Sequence, residues 1–189
     1  MARTNPERRA ATRQRIIDAF WKLLEEMPLQ QIKVRAIADA AGCNRSTFYQ
    51  YFDGIPDLLA QAEDDLIAEA RENTKHLSEL EGLRDIVVYT APFYESHSAK
   101  YFALAGSDEM GYFLVRLVDE LAPASMQVMG LDASDPDSTF WVRNSILCTN
   151  TSLIYWYQQG KPIPIEDFSQ RLNEEWLGGA FPNAATSQA

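Results

Sequence analysis

Apolar side chains recur at helical spacing along nearly the whole chain. Ile16, Ile17, Phe20, Leu23, Leu24 and Met27 predict a first helix that stops before Pro28, where the ring and missing N–H end it. A second, Ala-rich helix from Val34 to Ala41 places Ile37 and Ala41 on one face, with Ala38 small enough for another helix to cross close by. Gly42 supplies a left-handed residue to end it, and Asn44 can cap the next helix by accepting a free backbone N–H of Ser46 or Thr47. In that third helix Phe48 and Phe52 form the buried stripe. Asp53-Gly54-Ile55-Pro56 is a junction. Leu58, Leu59, Ala62, Leu66, Ile67 and Ala70 then predict a long amphipathic helix to about His76, with Pro56 in its first turn.

The remaining pattern is also helical. Leu80 to Tyr94 carries Leu83, Ile86, Val87, Thr90 and Ala91 on one side, with a kink expected at Pro92. A short aromatic helix, Ala99 to Ala105, is expected to end at Gly106, and another to run from Asp108 to about Leu121 before Pro123 interrupts it. Asp135-Pro136 is a cap followed by a first-turn proline, opening a helix that Gly160 closes. Steps of about 100° per residue give that helix one face of Phe140, Asn144, Leu147, Cys148, Thr151, Ile154 and Tyr155. The opposite face carries Val142, Ile146, Leu153 and Tyr157. A helix apolar on both sides is buried on both sides, one against its own core and the other against a partner subunit. Periodicity leaves open which face meets the partner; Val142, Ile146, Leu153 and Tyr157 are the candidate interface residues on this helix. The last helix, about Ile165 to Leu177, has a stripe of Ile165, Phe168, Leu172 and Trp176 and is closed by Gly178. Two such helices from each of two chains would build a four-helix interface; the alternative is a last helix folded back on its own body. The small polar stretch 182–189 is expected to be disordered. The fold class is therefore all-α: a three-helix domain over 1–55 followed by a helical domain over 56–181.

The third helix leaves Arg45, Ser46, Thr47, Tyr49, Gln50 and Tyr51 facing outward or sideways, after a short turn from the second. That is the chemistry of a helix-turn-helix. Arg45 and Gln50 can pair with base edges, while the hydroxyls, the Tyr rings and the helix N-terminus suit phosphates. A tight pair of helices in an ordinary core, with two Tyr at its rim, is the plainer alternative. Net charge of −10 looks unfavourable for DNA, but its distribution is uneven. Residues 1–55 hold 9 Lys and Arg against 6 Asp and Glu, a balance of +3, whereas the rest holds 8 against 21, or −13. A basic head on an acidic body confines phosphate binding to the head. Thr12 and Arg13, at the basic start of the first helix, are candidate phosphate contacts, a solvated basic end being the alternative.

The segment Thr12 to Leu59, about a quarter of the 189 residues, resembles the DNA-binding domain of the TetR/AcrR family of bacterial transcriptional regulators. The resemblance rests on Ile37-Ala38-Asp39-Ala40-Ala41-Gly42 and on Thr47-Phe48-Tyr49-Gln50-Tyr51-Phe52. It implies a two-lobed homodimer that reads a pseudo-palindromic double-stranded operator, represses by occlusion and is released by a small-molecule effector. It also implies that Arg35 reaches a base or phosphate. Two residues depart from the family pattern. Lys33 stands where a Ser or Thr cap is usual, and a cation at a helix N-terminus is unfavourable unless a phosphate is near. Ile55 replaces a Lys that commonly touches phosphate. The expected DNA-facing set is thus Thr12, Arg13, Lys33, Arg35, Asn44, Arg45, Ser46, Thr47, Tyr49, Gln50 and Tyr51.

In the body, aromatic side chains interleaved with polar ones fit a pocket between helices. Tyr101, Phe102, Phe113, Arg116, Trp141, Asn144, Cys148 and Thr151 are the candidate ligand residues, core packing being the plainer account of most. Arg116 and Arg143 could hold an anion or pair with Asp119 or Glu120. No cofactor or metal is expected: Cys43 and Cys148 lack ligand spacing and read as reduced thiols. Ser96 and Ser98 beside His97 are better explained by a polar helix junction than by a catalytic pair. No segment reads as a membrane span or a secretory signal, so a cytoplasmic protein is expected. Two other classes stay open, a DNA-binding regulator without an effector and a small-molecule binder or enzyme on a TetR-like scaffold.

Overall fold

The computed structural model describes residues 6–74, 83–105, 110–172 and 174, and all regular structure among them is helical. The chain forms two compact units, Met1–Leu66 with Ala99–Met110, and Ile67–Ser98 with Gly111–Ala189.

In the first unit, α1 (Pro6–Glu26) begins at a proline, whose missing N–H is not needed in a first turn. The basic opening from Arg8 to Arg15 is therefore helical. A 3₁₀ turn (Leu29–Gln31) leads to α2 (Val34–Ala40), which packs on α1 and on α3 (Arg45–Phe48). Gly42 ends α2 with φ of +65°, and the Cys43 N–H bonds back to the Ala38 carbonyl at 2.9 Å. A side chain with a Cβ resists that dihedral, so the glycine sets the angle between the two helices. Ile16, Ile17 and Phe20 of α1, Ile37 of α2, and Phe48 and Phe52 are all buried. They are joined in the core by Leu58, Ala62 and Leu66 of α4 (Ile55–Asn73) and by Tyr101 and Leu104 near the end of α5 (Leu83–Ala105).

In the second unit the two interior prolines do not break their helices. α5 runs unbroken past Pro92 to Ala105, so the separate helix expected from Ala99 is the end of α5. Its serines bond back to their own helix, Ser96 to the Phe93 carbonyl and Ser98 to that of Glu95. Hydroxyls used in this way do not start a new helix. α6 (Met110–Val128) likewise passes Pro123, an exposed residue that removes one backbone donor. α7 (Pro136–Gln158) has the expected ends: the Asp135 carboxylate accepts from the N–H groups of Asp137 and Ser138, and Gly160 takes φ of +75°. α8 (Ile165–Leu172) follows.

Both faces of α7 contribute to the chain's own core, the candidate interface face most deeply, while Ile154 of the other face is also buried. Val142 is 1% exposed and packs, with Ile146, against Ala122 and Met126 of α6, and Leu153 is 0% exposed. The Tyr157 hydroxyl donates to the Ala91 carbonyl of α5 at 3.3 Å. Val142 and Leu153 are thus taken up by their own chain, while Ile146 and Tyr157 contact it and stay half-buried. The solvent face carries Phe140, Trp141 and Tyr155, 62%, 40% and 63% exposed. α8 folds back on its own body, as the alternative held: Phe168 stacks on Trp156 with ring centroids 5.4 Å apart, and Leu172 is buried. Trp176, Gly178 and the 182–189 tail lie outside the described residues.

One polar pair crosses this core. The Tyr94 hydroxyl of α5 donates to Asn150 Oδ1 of α7, and Asn150 Nδ2 donates to the Ile146 carbonyl. Both residues are buried, and burial pushes the Tyr94 hydroxyl pKa far up, so it stays a donor. Tyr94→Phe should leave the Asn150 oxygen without this donor in a dry site and lower stability by about 1–3 kcal/mol. Urea unfolding with an unchanged slope would read this as a shift of midpoint.

Candidate nucleic-acid interface

α3 is short, and Asn44 holds its start. The Asn44 Oδ1 accepts from the Thr47 N–H at 2.7 Å, the Thr47 hydroxyl at 2.9 Å and the Ser46 hydroxyl at 2.6 Å. Asn44 is thus a cap, and both hydroxyls spend their hydrogens on it. Their remaining lone pairs accept, so they suit amino groups on base edges better than phosphate oxygens. Phe48 and Phe52 anchor the helix from below, ring to ring at 5.5 Å. Arg45, Tyr49 and Gln50 are left exposed on the other side, with Thr47 and Tyr51 half-buried at the edge.

Positive charge surrounds this surface. Arg35 and Lys33 are exposed at the start of α2, Lys33 giving no side-chain cap, as expected from its departure from the family pattern. Arg35 makes only a loose pair with Asp39 at 3.7 Å, one that a phosphate could displace. From α1, the Arg9 guanidinium lies over the Tyr51 ring, 5.7 Å from its centroid. Arg9 was not among the sequence candidates. Its signal was available, because it stands one helical turn before Arg13 on the same face.

Two candidates from α1 have other duties. Arg13 pairs with Asp65 at 2.7 Å and donates to Gln61 Oε1, tying α1 to α4. Gln61 donates in turn to the Asp57 carboxylate, which accepts the Asp53 N–H at the junction after α3. The Arg13 guanidinium is therefore a brace inside the unit, and a role as a general phosphate contact does not fit its geometry. Thr12 bonds to the Arg8 carbonyl of its own helix. Burial pushes the Cys43 thiol up, against the pull of Arg15, which favours its protonated form.

The ligand candidates divide between the two units. Tyr101 belongs to the core of the first unit, and Phe113 to that of the second. Trp141 faces solvent, Asn144 and Cys148 are half-buried, and Arg116 lies over the Tyr112 ring. Arg143 pairs with Asp119. Thr151 borders an open groove of about 610 Å³, with Ser152, Tyr155 and Phe168. The side chain of Phe102 lies outside the described residues. Among those described, no three His, Cys, Asp or Glu groups are placed to hold a metal, and no helix is long and apolar enough to cross a membrane.

A glycine-hinged helix pair with a capped, polar second helix standing on two buried Phe defines a helix-turn-helix domain. Residues 16–62 match the family described as bacterial regulatory proteins, tetR family. No curated protein shows significant sequence similarity to the chain. Among solved structures, a tetR-family transcriptional regulator from Streptomyces coelicolor superposes with a TM-score of 0.71 at 18% identity, over 97% of this chain and 84% of that one. The fatty acid degradation regulator FadR from Bacillus halodurans gives 0.68 at 17%, over 94% and 98%. A TetR transcriptional regulator from Streptococcus agalactiae 2603V gives 0.65 at 23%, over 92% and 96%. At such identities the likeness is one of fold. Residues 16–62 are thus similar to the DNA-binding domain of the tetR family, and the chain as a whole shares the fold of these solved regulators.

Proposed function

We propose that the protein is a homodimeric transcriptional repressor. It binds a pseudo-palindromic operator through two copies of α3 and leaves the DNA when a small molecule occupies the second unit. The observation that carries the reading is the exposed trio Arg45, Tyr49 and Gln50, presented by a helix that is capped at its start and pinned from below by Phe48 and Phe52. In a major groove, Arg45 reads a guanine through two parallel hydrogen bonds and Gln50 an adenine. Ser46 and Thr47 accept from base amino groups, while Tyr49 and Tyr51 position the backbone. Arg35, Lys33 and Arg9 hold phosphates, supplying the positive charge that the apolar Ile55 does not. Two half-sites lie about 34–36 Å apart, or a multiple of it. The solvent face of α7, with Phe140 and Trp141 near its start and Tyr155 near its end, meets its copy in the partner, which covers these exposed aromatics. Release follows only if the effector binds the DNA-competent and incompetent forms unequally.

The test is Arg45→Ala against a duplex recovered by selection and against a scrambled one. Specific affinity should fall by about 1–3 kcal/mol with non-specific affinity nearly unchanged. An equal loss on both duplexes would remove Arg45 from base reading and make it a phosphate contact.

A further inference from the structure

A second groove, of about 640 Å³, lies within the second unit between α5, the end of α7 and the segment leading into α8. Its size suits a small organic molecule. Val88, Pro92 and Ile163 supply apolar walls, and Val88 is an exposed hydrophobic side chain with no polar function of its own. At one end is a seat already filled by the chain itself. The Lys161 ammonium lies over the Tyr157 ring, 4.9 Å from its centroid, and pairs with the Glu95 carboxylate. A second carboxylate, Glu166, lines the same groove.

Lys161 is the only residue other than glycine with a positive φ among the described residues, +58°, directly after Gly160 at +75°. A side chain with a Cβ is uncommon there, and such outliers gather at functional positions. Its N–H closes the turn on the Trp156 carbonyl at 3.0 Å. Backbone strain is therefore accepted where the chain places its own ammonium on an aromatic face beside a carboxylate. Burial and the nearby Glu95 push the Tyr157 hydroxyl up to about 12, so the ring stays neutral at working pH.

We propose that this groove binds an organic ammonium ion with an apolar tail, the ligand's charge displacing Lys161 from Tyr157 and Glu95 while the tail covers Val88, Pro92 and Ile163. The charge balance of the lining, two carboxylates against one ammonium, selects a cation over an anion or a neutral molecule. An aromatic face beside a carboxylate attracts a cation, and the apolar walls give the tail of such a cation surface to cover. Lys161 acts as a tethered competitor: it occupies the seat when no ligand is present and swings into solvent when one arrives. Binding itself requires nothing of the DNA reading. That the ligand is the effector rests on that reading.

The probe is 4-phenylbutylammonium, titrated calorimetrically into the full chain without DNA, with the neutral 4-phenylbutanol as its control. Lys161→Gly removes the competitor and suits the left-handed dihedral, so ammonium binding should tighten by about three- to tenfold. Glu95→Gln should weaken it by a similar factor, and the alcohol should bind about tenfold more weakly than the ammonium. Opposite signs from two substitutions that each break the same ion pair are not produced by a general loss of structure, and unchanged unfolding midpoints would confirm this. Absence of ammonium binding, equal binding of the alcohol, or a Lys161→Gly variant that binds no tighter than the parent would overturn the proposal. Ammonium binding with no change in operator affinity would leave the site standing and remove its effector role.

Discussion

Phe48→Ala should unfold the head before it touches any question of DNA chemistry. The side chain is 0% exposed and forms ring contacts with both Tyr49 and Phe52. Emptying such a site costs about 3–5 kcal/mol, from lost transfer energy and the cavity left behind. α3 has only four residues in regular helix and no stability of its own, since isolated helices shorter than about 12–15 residues are marginal in water. It is held by its cap and by this ring. Thermal unfolding should lose the head's transition or shift it far down, and binding to specific and scrambled duplexes should vanish together. That pattern contrasts with Arg45→Ala, which spares the fold and the non-specific term. A Phe48→Leu variant, which keeps most of the apolar volume, should recover much of the stability.

Tyr155→Asp is expected to have the second largest effect, and on assembly rather than folding. Tyr155 is 63% exposed in the single chain, so a carboxylate there meets water and leaves the monomer intact. In the proposed dimer, where this face meets the partner, the same carboxylate would lose its water without gaining a counter-charge. Loss of an aromatic anchor alone costs about 2 kcal/mol or more, so dimer affinity should fall by more than about 30-fold. Sedimentation would read this directly. Operator affinity should fall with it, because a monomer reads one half-site. Leu153→Asp places its charge in the chain's own core and should instead unfold the body. A Tyr155→Asp protein that remains dimeric at micromolar concentration would move the interface off this face.

The helix-turn-helix was legible because its signals are local. Gly42 at the hinge, Asn44 as cap and Phe48 with Phe52 as the buried stripe depend on neighbours within one turn, and each took its expected role. The ends of α7 were legible for the same reason, through Asp135-Pro136 and Gly160. What failed depended on tertiary partners. Pro92 and Pro123 look like breaks in a one-dimensional pattern, yet each removes only one donor, and α5 and α6 run through them. Both sides of α7 are apolar, so periodicity could not say which side meets α6; Val142 against Ala122 and Met126 decides it. Arg13 read as a free basic group because Asp65 is distant in sequence, and only the fold brings the pair to 2.7 Å. The seat around Lys161 was invisible for a related reason: Glu95 and Tyr157 come from different helices, and nothing in the residue order marks a lysine at positive φ.

The claim that two copies of α3 read a symmetric operator is tested most directly by selection. Random duplex DNA is passed over the purified full chain at near-physiological salt, and the retained fraction is sequenced. The account predicts a two-fold symmetric motif whose half-site centres lie one helical turn apart or a multiple of it, lost when Arg45→Ala protein is used. Recovery of no motif by folded protein, or of a single asymmetric site that Arg45→Ala recovers equally well, would contradict it.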